Sequence, residues 1–387
     1  MGLKILHSAD WHLDSPFAGF DDSQRALLKQ EQQSIPGKIS QLCRREKCEL
    51  MLLAGDIFDG EPTRETVEAL KKALSECGAR VFITPGNHDF CAPGSLWLEE
   101  NWPENVYVFT GGLEAVTIPE LNCRVYGAGY QSMDSAPLLE NFHAEGSEKY
   151  CIAVLHGDPT RKDSLYCPIT AQQVRDSGLQ YLALGHIHKA GAFHAGGTLC
   201  AWPGCPMGRG WDETGEKGVC IVTVEDSASL RAVALDTIRF HELKADISSG
   251  AEAALETILP PAGSRDFFRV TLTGSGEADI AKLTRRFSAV PNLTLRDETL
   301  PPLDIWGTPA RTRWRACISG CSGKPWRPTL TAGRKFSLRR KFPGSCWKDG
   351  RSRCENLQND CHLRQAGARG ADPPAGAEHS HCPQRVG

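Results

Sequence analysis

Five times in the first 190 residues a short, largely apolar run stops at Asp, His or Asn. "LKIL" is followed by "HSADWH", which offers Asp10 and His12. "LMLLAG" leads into "DIFD" with Asp56 and Asp59, and "RVFITPG" into "NHD" with Asn87, His88 and Asp89. "CIAVL" ends at His156, and "YLALG" at "HIH" with His186 and His188. Apolar runs this short, closed by polar loops, are strands buried on both faces. Amphipathic stretches separate several of them. Residues 23–46 predict helix broken at Pro36–Gly37, and residues 62–77 predict a helix opening on Pro62 and closing before Gly78. With further strands expected at 106–109, 123–129 and 219–224, the pattern is that of an α/β domain of largely parallel strands. Loops that follow the carboxyl ends of parallel strands share one edge of the sheet, so the five polar clusters are expected to meet there.

Each cluster alone has an ordinary reading. Gly and Asn are common turn residues, an Asp caps the next segment, and a single His is more often structural than ligating. Their shared placement after strands makes coincidence a poor account. Asp, His and Asn without Cys form a borderline-hard donor set suited to manganese, iron or zinc. So many donors at five strand ends exceed what one ion takes and suit two. Two ions roughly 3.5–4 Å apart, bridged by a carboxylate, clamp the attacking and leaving oxygens of a phosphoryl displacement.

The formal charge of −3 conceals a break near Trp306. Residues 1–306 carry 28 Lys and Arg against 42 Asp and Glu, whereas residues 307–387 carry 16 against 5. Residues 1–240 are expected to form the main domain. Residues 241–306 read β-α-β-α-β and are expected to form a small separate α/β domain. Residues 307–387 have six Leu, Ile or Val against ten Gly and seven Pro, too few apolar residues to offset the entropy of ordering. That segment reads as an irregular, disordered basic tail. A weak C-x3-C at Cys317 and Cys321 leaves a zinc site open, and the composition is also that of a GC-rich gene translated out of frame from about codon 306. Ten of the sixteen cysteines are scattered through the first 306 residues, several inside strands, which fits buried thiols in a reducing cytosol. No stretch approaches the roughly 18 apolar residues of a membrane span, and the first residues lack the long apolar core of a secretory signal. A cytoplasmic protein with no membrane association is expected.

The order D-x-H, G-D-x-x-D, G-N-H-D, H and G-H-x-H resembles the calcineurin-like metallophosphoesterase superfamily over about residues 4–225. The resemblance implies a layered α/β sandwich and assigns Asp10, His12 and His188 to one metal, Asn87, His156 and His186 to a second, and Asp56 to both. It implies Mn2+ as the ion, with Fe2+ or Zn2+ as alternatives. It places His88 at the substrate phosphate, where it stabilises charge or protonates the leaving oxygen, with Asp59 orienting it, and makes water the nucleophile. "ILHSADWHLDSPF" and "WPGCPMGRGWDETGEKGVCIVTV" are similar to the SbcD and YhaO branch of DNA repair exonucleases. That branch implies DNA as substrate, a DNA-contacting cap at 241–306, a homodimer, and a coiled-coil ATPase resembling SbcC that docks on helices after the cap. Residues 307–387 show no such helices, so this partner is expected to be lost if the frame is shifted. Arg161, Lys162, Lys189 and Arg209 are expected to line the rim of the site. The acidic balance of residues 1–306 is no broad nucleic-acid footprint. A phosphodiesterase for a small molecule or cyclic nucleotide is the alternative that shares every motif. A protein phosphatase is disfavoured because no Arg follows the second Asp of "GDIFDG" and G-N-H-D replaces G-N-H-E. A non-catalytic scaffold on this fold is disfavoured because no ligand is missing.

Overall fold

The computed structural model describes residues 2–301. The readings of residues 307–387 as a disordered basic tail, a zinc site or an out-of-frame segment lie outside the described residues.

The chain lays down β1 (Leu3–Ser8), α1 (Asp22–Glu46), β2 (Leu50–Ala54), α2 (Arg64–Ser75), β3 (Arg80–Thr84), the single turn α3 (Leu96–Glu99) and β4 (Val106–Val108). β1 to β4 pair in parallel, each with the next. There follow β5 (Glu114–Ile118), β6 (Cys123–Gly127), β7 (Tyr150–His156), α4 (Ala171–Asp176), β8 (Tyr181–Gly185), β9 (Gly191–Ala195) and β10 (Thr198–Trp202). These strands make a second sheet in the order β5-β6-β7-β8-β10-β9, parallel from β6 through β10. β11 (Gly218–Val224) then returns to the first sheet antiparallel to β1, with β12 (Ala228–Ala234) outside it. Last come β13 (Phe240–Asp246), α5 (Ala251–Ile258), β14 (Phe267–Thr273), α6 (Ile280–Arg286) and β15 (Leu293–Asp297). Their strands form a separate parallel sheet of three.

The two large sheets face each other. Ile5, Leu50, Leu52 and Phe82 of the first share one core with Val125, Ile152, Val154 and Tyr181 of the second. Side chains alternate along a strand, so the neighbours Leu6, Met51, Leu53, Val81 and Ile83 point the other way. They pack under Leu28, Ile35 and Ile39 of α1 and Leu70 and Leu74 of α2. Beyond the second sheet, Leu155, Leu182 and Leu184 meet Val174 of α4. The molecule is therefore a layered α/β sandwich. Strands such as β2 and β8 read as unbroken apolar runs because both their faces are covered.

Two expectations are corrected. α1 runs unbroken through Pro36 and Gly37. An interior Pro costs about 3 kcal/mol. Three fully buried side chains on the same helix, each contributing about 1.5–3 kcal/mol, outweigh it: Leu28, Ile35 and Ile39 all pack in the core under the sheet. The sheets are also less parallel than expected. β5, β9, β11 and β12 are antiparallel at the edges or beside β1. All ten cysteines of the described residues are free, nine of them buried. Among the described residues no helix is long and apolar enough to cross a membrane.

Candidate metal centre

β1, β2 and β3 lie side by side in one sheet, and β7 beside β8 in the other. Their carboxyl ends bring all five motif loops to one place. The loops after β1 and β2 are zipped together by backbone bonds. The amides of Asp10, His12 and Leu13 donate to the carbonyls of Gly55, Asp56 and Ile57 at 3.0, 2.9 and 2.8 Å, and the Asp59 amide donates back to Leu13 at 2.9 Å. The backbone is strained where the donors sit. Asp10, His12, Asp56 and His186 have φ of 55°, 45°, 51° and 91°. Such conformations cost on the order of 1–3 kcal/mol each for a non-glycine residue and cluster at functional sites. The glycines that precede the motifs act through close approach. A Cβ on Gly86 would stand 2.2 Å from the Asp56 carboxylate, and one on Gly185 would stand 1.9 Å from the Ala54 carbonyl.

Asp10, His12, Asp56 and His188 form a first group whose donor atoms all lie within 4.8 Å of one another. The Asp10 carboxylate accepts from the His186 amide through Oδ1 (2.9 Å), while its buried Oδ2 has no hydrogen-bond partner. Nε2 of His12 lies 3.1 Å from Nε2 of His188 and 3.6 Å from Oδ2 of Asp56. The tautomer of His188 follows from its other nitrogen. Nδ1 sits 2.6 Å from a Glu213 carboxylate oxygen, which can only accept, so the proton is on Nδ1 and Nε2 presents its lone pair.

Asn87, His156 and His186 form a second group. Oδ1 of Asn87 lies 3.0 Å from Nε2 of His156 and 3.2 Å from Nδ1 of His186. Nδ1 of His156 donates to the Ala54 carbonyl at 2.9 Å, so Nε2, 3.4 Å from Oδ2 of Asp56, is the nitrogen that would face an ion in place of its proton. Asp56 thus reaches both groups from one oxygen. Burial pushes the Asp10 carboxyl up. Burial acts the same way on Asp56, but the imidazoles of His156 and His12 hold it well below the usual carboxylate range. Burial lowers the His156 imidazole, yet the Asp56 charge wins and raises it to about 9. Burial and the charge of His156 push His186 down to about 4. Two buried carboxylates facing imidazole lone pairs, one oxygen without a partner, fit divalent cations as their counter-charge.

His88 stands apart from both groups. Its ring is 43% exposed, and Nδ1 lies 3.1 Å from Oδ1 of Asp59, which raises its pKa. Asp59 also lies 3.6 Å from Nδ1 of His12, and Ser15 donates to it at 3.0 Å. The neighbouring His12 and His88 imidazoles keep its carboxyl far below the usual range. Of the four rim cations, Arg209 alone touches the motif residues. Its guanidinium is 3.2 Å from Nδ1 of His188 and 3.9 Å from Asp59. Arg161 is paired with Asp163 at 3.2 Å, and Lys162 and Lys189 are exposed.

Three residues that support this geometry were not legible as site residues. Glu213 holds His188 and accepts from the Arg209 amide at 2.7 Å and its guanidinium at 3.0 Å. Buried Gln32 of α1 donates to the His12 carbonyl at 2.7 Å. Asp89 accepts from the amides of Gly86 and Ile57 at 2.7 and 2.8 Å, tying the third loop to the second. Burial, with the nearby Asp56 charge, raises the Asp89 carboxyl to about 7. Glu213 and Gln32 follow no strand, so only proximity in space reveals them. Asp89 was visible within "NHD", but its role was not.

Residues 3–190 match the calcineurin-like phosphoesterase family model. The uncharacterized metallophosphoesterase YhaO of Bacillus subtilis is 33% identical over 245 residues, covering 57% of each chain. The D subunit of the SbcCD nuclease of Staphylococcus epidermidis is 30% identical over 107 residues, covering 26% of this chain and 27% of its own. The chain thus spans just over half the length of the first relative and about a quarter of the second. Among solved structures, a dimetal phosphatase from Danio rerio aligns with 60% of this chain and 96% of its own at a TM-score of 0.41 and 13% identity, a likeness that carries no argument about function.

Proposed function

We propose, from the premise that this chain carries a calcineurin-like phosphoesterase domain and so a hydrolase of phosphoester bonds, that its substrate is a DNA phosphodiester and its ions are Mn2+. The observation that carries the reading is the exposed His88–Asp59 pair beside two buried donor groups that share Asp56. Asp10, His12 and His188 would hold one divalent ion and Asn87, His156 and His186 the other, with Asp56 reaching both. When bound, such ions neutralise charge on the phosphate and acidify water. The protein's own part is then to position and to move a proton. Nδ1 of His88 stands beside Asp59, which leaves Nε2–H of this exposed ring to meet an arriving substrate. The neighbouring Asp59 carboxylate favours the protonated ring, the form that can donate to the leaving oxygen. Arg209 adds a positive charge on the same side, steadied by Glu213 and Asp59.

The choice of DNA is supported by the likeness to the SbcCD nuclease subunit. The balance of −14 over residues 1–306 favours instead a small phosphodiester, which needs no broad basic surface. A partner ATPase that delivers the DNA end would reconcile the two. Its expected docking segment falls within residues 307–387, outside the described residues.

The test is Mn2+-dependent release of nucleotides from end-labelled linear DNA, with bis-p-nitrophenyl phosphate as a generic phosphodiester and His88→Ala as control. The expected outcome is hydrolysis of both, reduced at least about 100-fold in kcat by His88→Ala. Turnover of the small ester with DNA untouched in the presence of Mn2+ would move the assignment to a small-molecule phosphodiesterase.

A further inference from the structure

One short loop connects the three-stranded β13–β15 module to the candidate metal centre. Within residues 209–213, Glu213 bonds Nδ1 of His188, and Arg209 bonds Glu213 and reaches Asp59. The loop is closed on itself by the Glu213 amide donating to the Gly210 carbonyl at 3.1 Å. Between these two residues, Trp211 points the other way. Its ring meets Phe240 of β13 edge-on at 5.2 Å and Phe267 of β14 at 6.5 Å. Phe240 and Phe267 stack on each other at 4.8 Å, and Phe20 packs against both. The guanidinium of Arg269, from β14, lies 3.9 Å over the Trp211 ring. Two residues past Glu213, the Gly215 amide donates to the Phe240 carbonyl at 2.9 Å.

The loop is thus pinned to the module on one side and grips a metal-ligand candidate on the other. We propose that Trp211 is a positioning residue: by fixing the 209–213 loop on β13 and β14, it holds Glu213 against His188 and so sets the affinity of the ion that His188 holds. The inference rests on the two-ion reading above. Its physical basis is that a carboxylate on the far nitrogen of a ligating His fixes the tautomer and the ring orientation, and that losing such a partner costs about 10–100-fold in metal affinity. Anything that bends the β13–β15 module away from the main sheets would draw Trp211 with it and loosen that same ion. Binding at the module and occupancy of the metal site would then be linked, each strengthening the other by the same factor.

The test measures Mn2+ affinity and stoichiometry of the full chain by titration calorimetry and by the EPR signal of free Mn2+. The variants are Trp211→Ala, Trp211→Phe and, as a control for general loosening of the module, Leu283→Ala. Leu283 lies in the module's own core and not in the aromatic cluster. Trp211→Ala is expected to weaken one of two ions by about 10-fold or more and to spare the other, with Trp211→Phe recovering most of the loss and Leu283→Ala unchanged. Arg269→Gln removes the cation over the ring together with its 2.8 Å ion pair to Glu242 of β13, and leaves Trp211 in place. It is expected to weaken the same ion a few-fold, so the idea stays testable if Trp211→Ala does not fold. Wild-type affinity for both ions in folded Trp211→Ala, or in folded Arg269→Gln where the former is insoluble, would overturn the proposal. So would an equal loss in Leu283→Ala. A wild-type protein that binds no Mn2+ at all would instead defeat the two-ion reading itself.

Discussion

At the scale of single residues the informative contrast is between the histidines. His12, His156, His186 and His188 are buried or half-buried among carboxylates and the Asn87 amide, whereas the His88 ring is largely exposed, with Nδ1 beside Asp59. Because the Asp59 bond raises the His88 pKa, the protonated ring is the form present over the wider pH range, and it is lost as pH rises through that raised value. Asp59→Asn removes the charge that favours the proton. The alkaline limb of kcat for bis-p-nitrophenyl phosphate is then expected to move to lower pH, with kcat reduced about 10-fold and KM nearly unchanged. An alkaline limb that stays in place would show that His88 is not the group being read. Since Asp59 also neighbours His12, Mn2+ affinity measured on the same variant separates a proton effect from a ligand effect.

At the scale of elements, α1 carries two residues that its own local chemistry opposes. Pro36 is buried against the core, so exchanging it alters packing as well as backbone. Gly37 is different: a Cβ there would meet nothing within 4 Å. Gly inside a helix costs about 0.5–1 kcal/mol relative to Ala. Gly37→Ala is therefore expected to stabilise the protein by that amount and raise Tm by roughly 1–4 °C, with hydrolytic activity untouched. Thermal unfolding followed by circular dichroism checks it, and a lower Tm would mean that α1 is not continuous through residue 37. The same helix supplies Gln32 to the His12 carbonyl, so its continuity bears on the centre as well as on the core.

For the molecule as a whole, the centre ties the two large sheets together. Asp10, Asp56 and Asn87 come from the first sheet, and His156, His186 and His188 from the second. Ions that bind the folded chain and not the unfolded one stabilise it by mass action, about 2.7 kcal/mol for a site at 100 times its Kd. Mn2+ is expected to raise Tm by roughly 5–10 °C, and EDTA to reverse the shift. A Tm indifferent to millimolar Mn2+ would show that these donors do not hold it.

The five motifs and the strands ahead of them were legible in the chain because the signal is local. A strand buried on both faces must be apolar along its length, as in "LMLLA" and "YLALG", and the polar residue that ends it is conspicuous by contrast. Edge strands such as β5, "EAVTI", carry no such signal, since one side faces water and alternation over five residues is weak. The course of α1 through Pro36 was illegible for the opposite reason: local propensity argued for a break, and long-range burial outweighed it. Sequence alone therefore determined the class of fold, the donor set and the chemistry those donors suit. Tertiary structure alone decided how closely those donors approach one another, that Glu213 selects the His188 tautomer, and that the β13–β15 module leans on the same loop. Those facts depend on distances between residues far apart in the chain, which packing sets and no local pattern encodes.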